Sequence, residues 1–138
     1  MTSATQMPQA YGYESLPRLR LAVNEAVNVG LIRYDRGFRR SRLGRESSKP
    51  EEMLEAARFL GADDQLVKRI RALVAADRIG YDQKNVQTTI DELALSPEER
   101  QIAAQILTNH ARYCGVKPAE VYSLPQMKPV TELLLREI

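Results

Sequence analysis

The sequence predicts an all-α fold, a compact bundle of about five or six short helices with a polar N-terminal arm. Apolar residues recur at helical spacing, capping residues and glycines punctuate the chain at short intervals, and no segment alternates as a strand would. The 138 residues, 43% hydrophobic and 28% charged, suit one globular domain. Because tryptophan is absent and aromatics make up 6%, the core must consist mainly of Leu, Ile, Val and Ala, a composition typical of helices.

The chain divides into a polar arm, residues 1–14, and a single helical domain, residues 15–138. Ser15 is a plausible N-cap for the first helix, and Pro17 lies in the first turn, where a missing N–H is tolerated. Apolar residues follow at helical spacing from Leu16 onward. The helix either ends near Gly30 or continues past it with a weak point.

The second and third helices have recognisable limits. Ser48 and Glu51 have the Ser-x-x-Glu spacing of a capping box, which predicts a helix that ends at Gly61. Asp63 or Asp64 is expected to cap the third helix, which ends at Gly80. Its apolar face consists of Leu66, Val67, Ile70, Leu73 and Val74.

Two further helices follow. A weaker pattern after Asp82 places Val86, Ile90 and Leu93 on one face of a fourth helix. The best start in the chain is Ser96-Pro97-Glu98-Glu99, which combines an N-cap, a proline at the first helical position and a capping-box glutamate. This fifth helix is expected to continue to Gly115.

The C-terminal part is interrupted by prolines. We expect Pro118 to open a short helical turn, Pro125 to end it, and a final short helix to run from Pro129 to Ile138. Three consecutive leucines, Leu133 to Leu135, cannot all face one core. Either they are buried between two surfaces, or Leu135 is exposed and belongs to a docking element.

The most unusual segment is Arg33–Arg45. It contains six arginines and one aspartate, a local charge of +5 in a chain whose net charge is +2. Guanidinium groups bind phosphate and carboxylate oxygens bidentately, and interleaved aromatic rings can stack on bases. The candidate partner- or phosphate-binding residues are Arg33, Tyr34, Arg36, Phe38, Arg39, Arg40, Arg42 and Arg45.

Three interpretations of this segment are open. The favoured one is contact with an acidic surface of a protein partner, which makes the protein an adaptor, regulator or accessory subunit of a larger assembly. The alternative is a DNA- or RNA-binding regulator that also uses a secondary basic face, Lys68, Arg69 and Arg71, on the third helix. The third is a solvated loop whose arginines pair with nearby acids such as Glu46 or Glu51.

Candidate catalytic groups are sparse, and we predict that the protein is not an enzyme. His110 and Cys114 share one helix face at i and i+4, but a zinc site needs three or four ligands and the chain has one His and one Cys. Neighbouring carboxylates lie mostly in first turns of helices, where they complement the helix dipole. No nucleotide-binding or nucleophile-elbow motif occurs. We therefore predict no metal and no cofactor.

The sequence also bears on location. It contains no apolar run long enough to span a bilayer and no secretory signal, so we expect a soluble intracellular protein of the cytoplasm or an organelle matrix, not a secreted one. Its single cysteine excludes an internal disulfide. Self-association through the leucine-rich C-terminal segment is left open.

Overall fold

The computed structural model describes Tyr13 and residues 15–29, 50–115 and 124–136. These residues form an all-α bundle, as predicted, with no strand in the described ranges. None of the helices found there has the length and apolar character needed to cross a membrane. The helices are α1 (Leu16–Val29), α2 (Pro50–Leu60), α3 (Asp64–Ile79), α4 (Lys84–Leu93), α5 (Pro97–Gly115) and α6 (Leu124–Leu135).

Side chains cap the helix starts that the sequence indicated. Ser15 Oγ accepts a hydrogen bond from the backbone N–H of Arg18 at 3.4 Å. Of the two candidate caps of α3, Asp63 is the one used, since its Oδ1 accepts from Leu66 N at 2.8 Å. These bonds satisfy backbone donors that have no partner within the helix.

The start of α5 is a complete capping box. Ser96 Oγ accepts from the backbone N–H of Glu99 at 3.2 Å, and Glu99 Oε1 accepts from the backbone N–H of Ser96 at 3.0 Å. The two residues therefore satisfy each other's free N–H groups, as the Ser-x-x-Glu spacing predicted. Ser48, the predicted cap of α2, lies outside the described residues.

The helix ends are more varied. Gly61 has φ +73° and closes α2 in a Schellman motif, with Ala62 N donating to Ala57 O at 2.9 Å and Gly61 N to Arg58 O at 3.4 Å. Gly80, with φ +59°, ends α3. Helix α4 ends instead at Ala94, in the left-handed conformation with φ 51° and ψ 53°, where the sequence offered no glycine.

The predicted limits of the last helix are wrong. Helix α6 runs from Leu124 to Leu135, so Pro125 lies in its first turn and Pro129 in its interior. Pro125 needs no N–H donor at that position. The cost of Pro129 is offset by burial, because Met127, Val130 and Leu134 are almost fully buried at helical spacing. Leu135 is 41% exposed, so the three leucines do not share one environment.

The core is centred on α3 and α5. Helix α5 packs against α6, α3 and α1, whereas α3 also packs against α2 and α4. Five consecutive residues of α3, Ala72 to Ala76, are buried, and the small side chains of Ala72, Ala75 and Ala76 let neighbouring helices approach closely. Tyr13, assigned to the N-terminal arm by sequence, is only 3% exposed and belongs to this core.

Ala94 provides a test of backbone strain. We expect Ala94→Gly to raise the free energy of unfolding by about 0.5–1 kcal/mol, since glycine adopts the left-handed conformation without a Cβ clash. Gly61→Ala is the matched reverse change. We expect Gly61→Ala to lower the free energy of unfolding by about 1 kcal/mol. Since nothing lies within 4 Å of the added Cβ, this decrease would come from the backbone conformation alone. Urea denaturation measures both changes; a destabilised Ala94→Gly variant would contradict the assignment.

Candidate functional site

The Arg33–Arg45 segment lies outside the described residues. The described chain stops at Val29, the last residue of α1, and resumes at Pro50, the first of α2. Asn109 of α5 holds the end of α1, because its Nδ2 donates to the backbone carbonyls of Val27 and Asn28 at 3.1 Å each. The end of the described part of α1 is therefore held against α5.

Each residue of the predicted secondary basic face has a partner inside the fold. Lys68 Nζ contacts Glu98 Oε1 at 2.9 Å, Arg69 Nη1 donates to Asn24 Oδ1 at 2.6 Å, and Arg71 Nε donates to Glu99 Oε2 at 2.7 Å. These bonds link α3 to α1 and α5. The three cations that were predicted to form a secondary basic face thus each have a partner on a neighbouring helix.

The Arg71–Glu99 ion pair is the most buried in the described chain. Glu99 is 5% exposed, and the Arg71 side chain is 27% exposed. Arg71 Nη2 also approaches Glu99 Oε1 at 3.4 Å and donates to the backbone carbonyl of Leu93, the last residue of α4. Burial raises the pKa of the Glu99 carboxyl, but hydrogen bonds from Arg71 and from the Ser96 backbone outweigh it and lower the pKa overall.

Other ion pairs near this face are exposed. The hydrogen bond with Glu98 raises the pKa of Lys68, and the same contact lowers the pKa of Glu98. The backbone N–H of Leu66, followed by Arg20, lowers the pKa of Asp63. Since solvent screens these charges, they orient side chains more than they stabilise the fold.

His110 is 1% exposed, and its Nδ1 lies 2.6 Å from the hydroxyl of Tyr81, in the turn after α3. The two ring centroids are 5.6 Å apart. This contact joins α5 to the α3–α4 connection and gives the imidazole a structural role. The side chain of Cys114, the other member of the predicted pair, lies outside the described part. No group of three or more His, Cys, Asp or Glu side chains suited to a metal ion occurs among the described residues.

A polar groove lies where α1, α3 and α5 meet. It has a volume of about 580 Å³, within the range of small-ligand sites. Two partly buried aliphatic residues, Val27 and Ile102, also line it. The groove is lined by five carboxamide side chains, which we call the carboxamide groove: Asn24, Asn28, Gln65, Gln101 and Gln105.

The described residues that line the carboxamide groove have no excess charge. Its ionic lining residues, Arg69 and Glu98, have opposite signs. No aromatic side chain of the described part of the chain lines it. Each carboxamide offers both N–H donors and a carbonyl acceptor, so the groove presents neutral groups that can hydrogen-bond in both directions.

Sequence reasoning missed this groove. Each helix contributes a pair at i and i+4, namely Asn24 with Asn28, Gln65 with Arg69, and Gln101 with Gln105. That spacing, which puts each pair on one face of its helix, was the available clue. Sequence could not show that the three faces converge, because the pairs are far apart along the chain.

Comparison with known proteins gives no match to any family model, curated protein or solved structure.

The Arg71–Glu99 pair predicts a pH dependence. Because the pKa of Glu99 is lower in the folded state, the unfolded chain binds more protons in acid. The stability from Glu99 should be complete above its ordinary pKa of 4.5 and decrease as the pH falls through the folded value. Glu99→Gln should lower the free energy of unfolding by about 1–3 kcal/mol at neutral pH. The stability of this variant should then decrease less as the pH falls. Denaturation at several pH values measures it, with exposed Glu132→Gln as the control; an unchanged acid slope in Glu99→Gln would contradict the prediction.

Because Tyr81 and His110 contact each other, we expect that the stability losses of the two single variants do not add up in the double variant. Tyr81→Phe keeps the ring contact but removes the hydroxyl bonded to the buried Nδ1, so we expect a loss of about 1–2 kcal/mol. Replacing both polar partners, in Tyr81→Phe/His110→Leu, should cost less than the sum of the two single changes. Chemical denaturation of the four proteins gives this coupling. Strict additivity would mean that the contact contributes nothing.

Proposed function

We propose that this protein is a non-enzymatic helical adaptor, regulator or accessory subunit of a larger assembly, and that Arg33–Arg45 contacts an acidic surface of a protein partner. The distribution of charge carries the proposal. The segment has a net charge of +5, whereas the described residues contain twelve Lys and Arg against thirteen Asp and Glu, a net charge of −1. The positive excess is therefore confined to one stretch of chain.

The cations of the helical body are largely engaged within it. Arg20 contacts Asp63 at 3.2 Å, and Arg78 lies 3.6 Å from Glu51 and 3.5 Å from Glu92. Such pairs neutralise the body locally. By contrast, Arg33–Arg45 holds six arginines against one aspartate, so an acidic partner would find its unbalanced positive charge there.

The nucleic-acid alternative has weaker support. It relied on a second contact surface formed by Lys68, Arg69 and Arg71, but these side chains bond to Glu98, Asn24 and Glu99. A phosphate backbone would have to compete with two carboxylates at that face. A protein partner needs only the arginine segment.

Fluorescence anisotropy tests the proposal directly. We would compare labelled decaglutamate with labelled single- and double-stranded DNA and RNA, from about 50 to 300 mM salt. The test variant is Arg36/Arg39/Arg40/Arg42→Gln. The matched control, Arg18/Lys84/Arg112/Lys128→Gln, removes the same number of charges from exposed positions outside the segment.

We expect decaglutamate to bind the wild-type protein and the control, and to lose most of its affinity for the arginine variant. Equal binding by all three proteins would contradict the proposal. Micromolar nucleic-acid binding near physiological salt, with a log–log salt slope of about −4 that only the arginine variant loses, would replace it with the nucleic-acid function.

A further inference from the structure

The strongest unassigned feature of the molecule is the carboxamide groove. Five of the ten Asn and Gln residues in the described ranges line it, drawn from three helices. Exposed helix faces usually carry charged side chains, as α4 does with Lys84, Asp91 and Glu92. A neutral, hydrogen-bonding surface at a concave junction suits a ligand that carries both donors and acceptors and no charge.

We infer that the carboxamide groove binds an uncharged, extended stretch of polypeptide main chain supplied by a partner protein. This inference rests on the proposed function, because the partner is the one that Arg33–Arg45 contacts. A peptide unit presents one N–H and one C=O, and a carboxamide can pair with both. The arginine segment would meet the acidic side chains of that partner, and the groove would meet its backbone.

The hydrogen-bonding capacity of the groove supports this choice. Asn24 uses its Oδ1 to accept from Arg69, which leaves its two N–H donors available to a ligand. Gln105 uses Nε2 to donate to Asn109 Oδ1 at 2.8 Å, which leaves its carbonyl as an acceptor. For Gln101, no hydrogen bond occurs within the described residues. The groove therefore holds donors and acceptors side by side.

The spacing also fits an extended chain. Residues at i and i+4 on a helix are separated by about 6 Å along its axis. Equivalent peptide groups on one edge of an extended chain recur about every 6.6 Å. The pairs Asn24–Asn28 and Gln101–Gln105 therefore present carboxamides at nearly the repeat of a strand.

A nucleobase fits less well than a peptide. Single-stranded nucleic acid is held by aromatic stacking and a positive groove, but the described lining of this groove contains no aromatic side chain, and the charges of Arg69 and Glu98 cancel. Val27 and Ile102, which also line the groove, add apolar surface that suits small apolar side chains of a peptide.

Two-dimensional ¹⁵N NMR of the full chain tests the inference, because side-chain NH₂ groups of Asn and Gln give their own resonances. The probe is an acetylated and amidated Gly-Ser octapeptide, an uncharged main chain. The test variant is Gln101/Gln105→Ala. The matched control is Gln83/Gln87→Ala, which removes two exposed carboxamides at α4.

We expect saturable shifts of the groove NH₂ resonances with a Kd of about 1 mM. Loss of two neutral hydrogen bonds should weaken binding at least about fivefold, the least expected from their energies, in the Gln101/Gln105 variant and not in the control. The same octapeptide preceded by four glutamates should bind more tightly to wild type, and should lose that gain in the Arg36/Arg39/Arg40/Arg42→Gln variant.

Absence of saturable shifts, or equal weakening in both carboxamide variants, would overturn the inference. Stronger shifts of the same resonances by oligoadenylate would replace the peptide with a nucleic acid. If the groove fails while decaglutamate binding still requires the arginines, only this inference is lost. If the groove binds the uncharged peptide but the arginine variant binds decaglutamate like wild type, the proposed function is lost and the groove remains a peptide site.

Discussion

The arrangement of three helices depends on one ion pair. Glu99 closes the capping box of α5 and, with the same carboxylate, receives Arg71 from α3. Arg71 in turn reaches the last carbonyl of α4. The start of one helix, the end of a second and the middle of a third therefore share a single hydrogen-bonded group. A buried carboxylate is costly unless it is paired and hydrogen-bonded, and here both conditions are met.

Small side chains in the rest of the core let the helices pack closely around the Arg71–Glu99 ion pair. Alanines recur among the buried residues of the central helices, including Ala75 and Ala76 on α3 and Ala103 and Ala104 on α5. Their size brings helix backbones close together, so dispersion contacts partly replace the area that aromatic residues would supply. As a result, α1 packs closely against α3 and α5. The carboxamide groove lies at the surface where these three helices meet.

Local chemistry made much of the fold predictable. Ser15, Asp63 and Ser96 act as caps because each bond forms within one helical turn, and Gly61 ends α2 because its conformation is a local property. The limits of α6 were not predictable in this way. Local rules end one helical turn at Pro125 and begin a new helix at Pro129, whereas the structure has one continuous helix because distant residues bury its turns. Local rules also could not predict the partners of Lys68, Arg69 and Arg71, because these partners lie on other helices. The groove was not predictable for the same reason.

Helix α6 shows what such dependence on neighbours implies for the order of folding. A short helix with an internal proline has little helical content in isolation. Arg100 of α5 donates to the carbonyls of Leu134 and Arg136 at 2.9 and 2.8 Å, so it can hold the end of α6 only where the two helices already touch. The turns of α6 are thus stabilised on a template that α5 provides. We therefore expect α6 to form late in folding, after the interactions around α3 and α5.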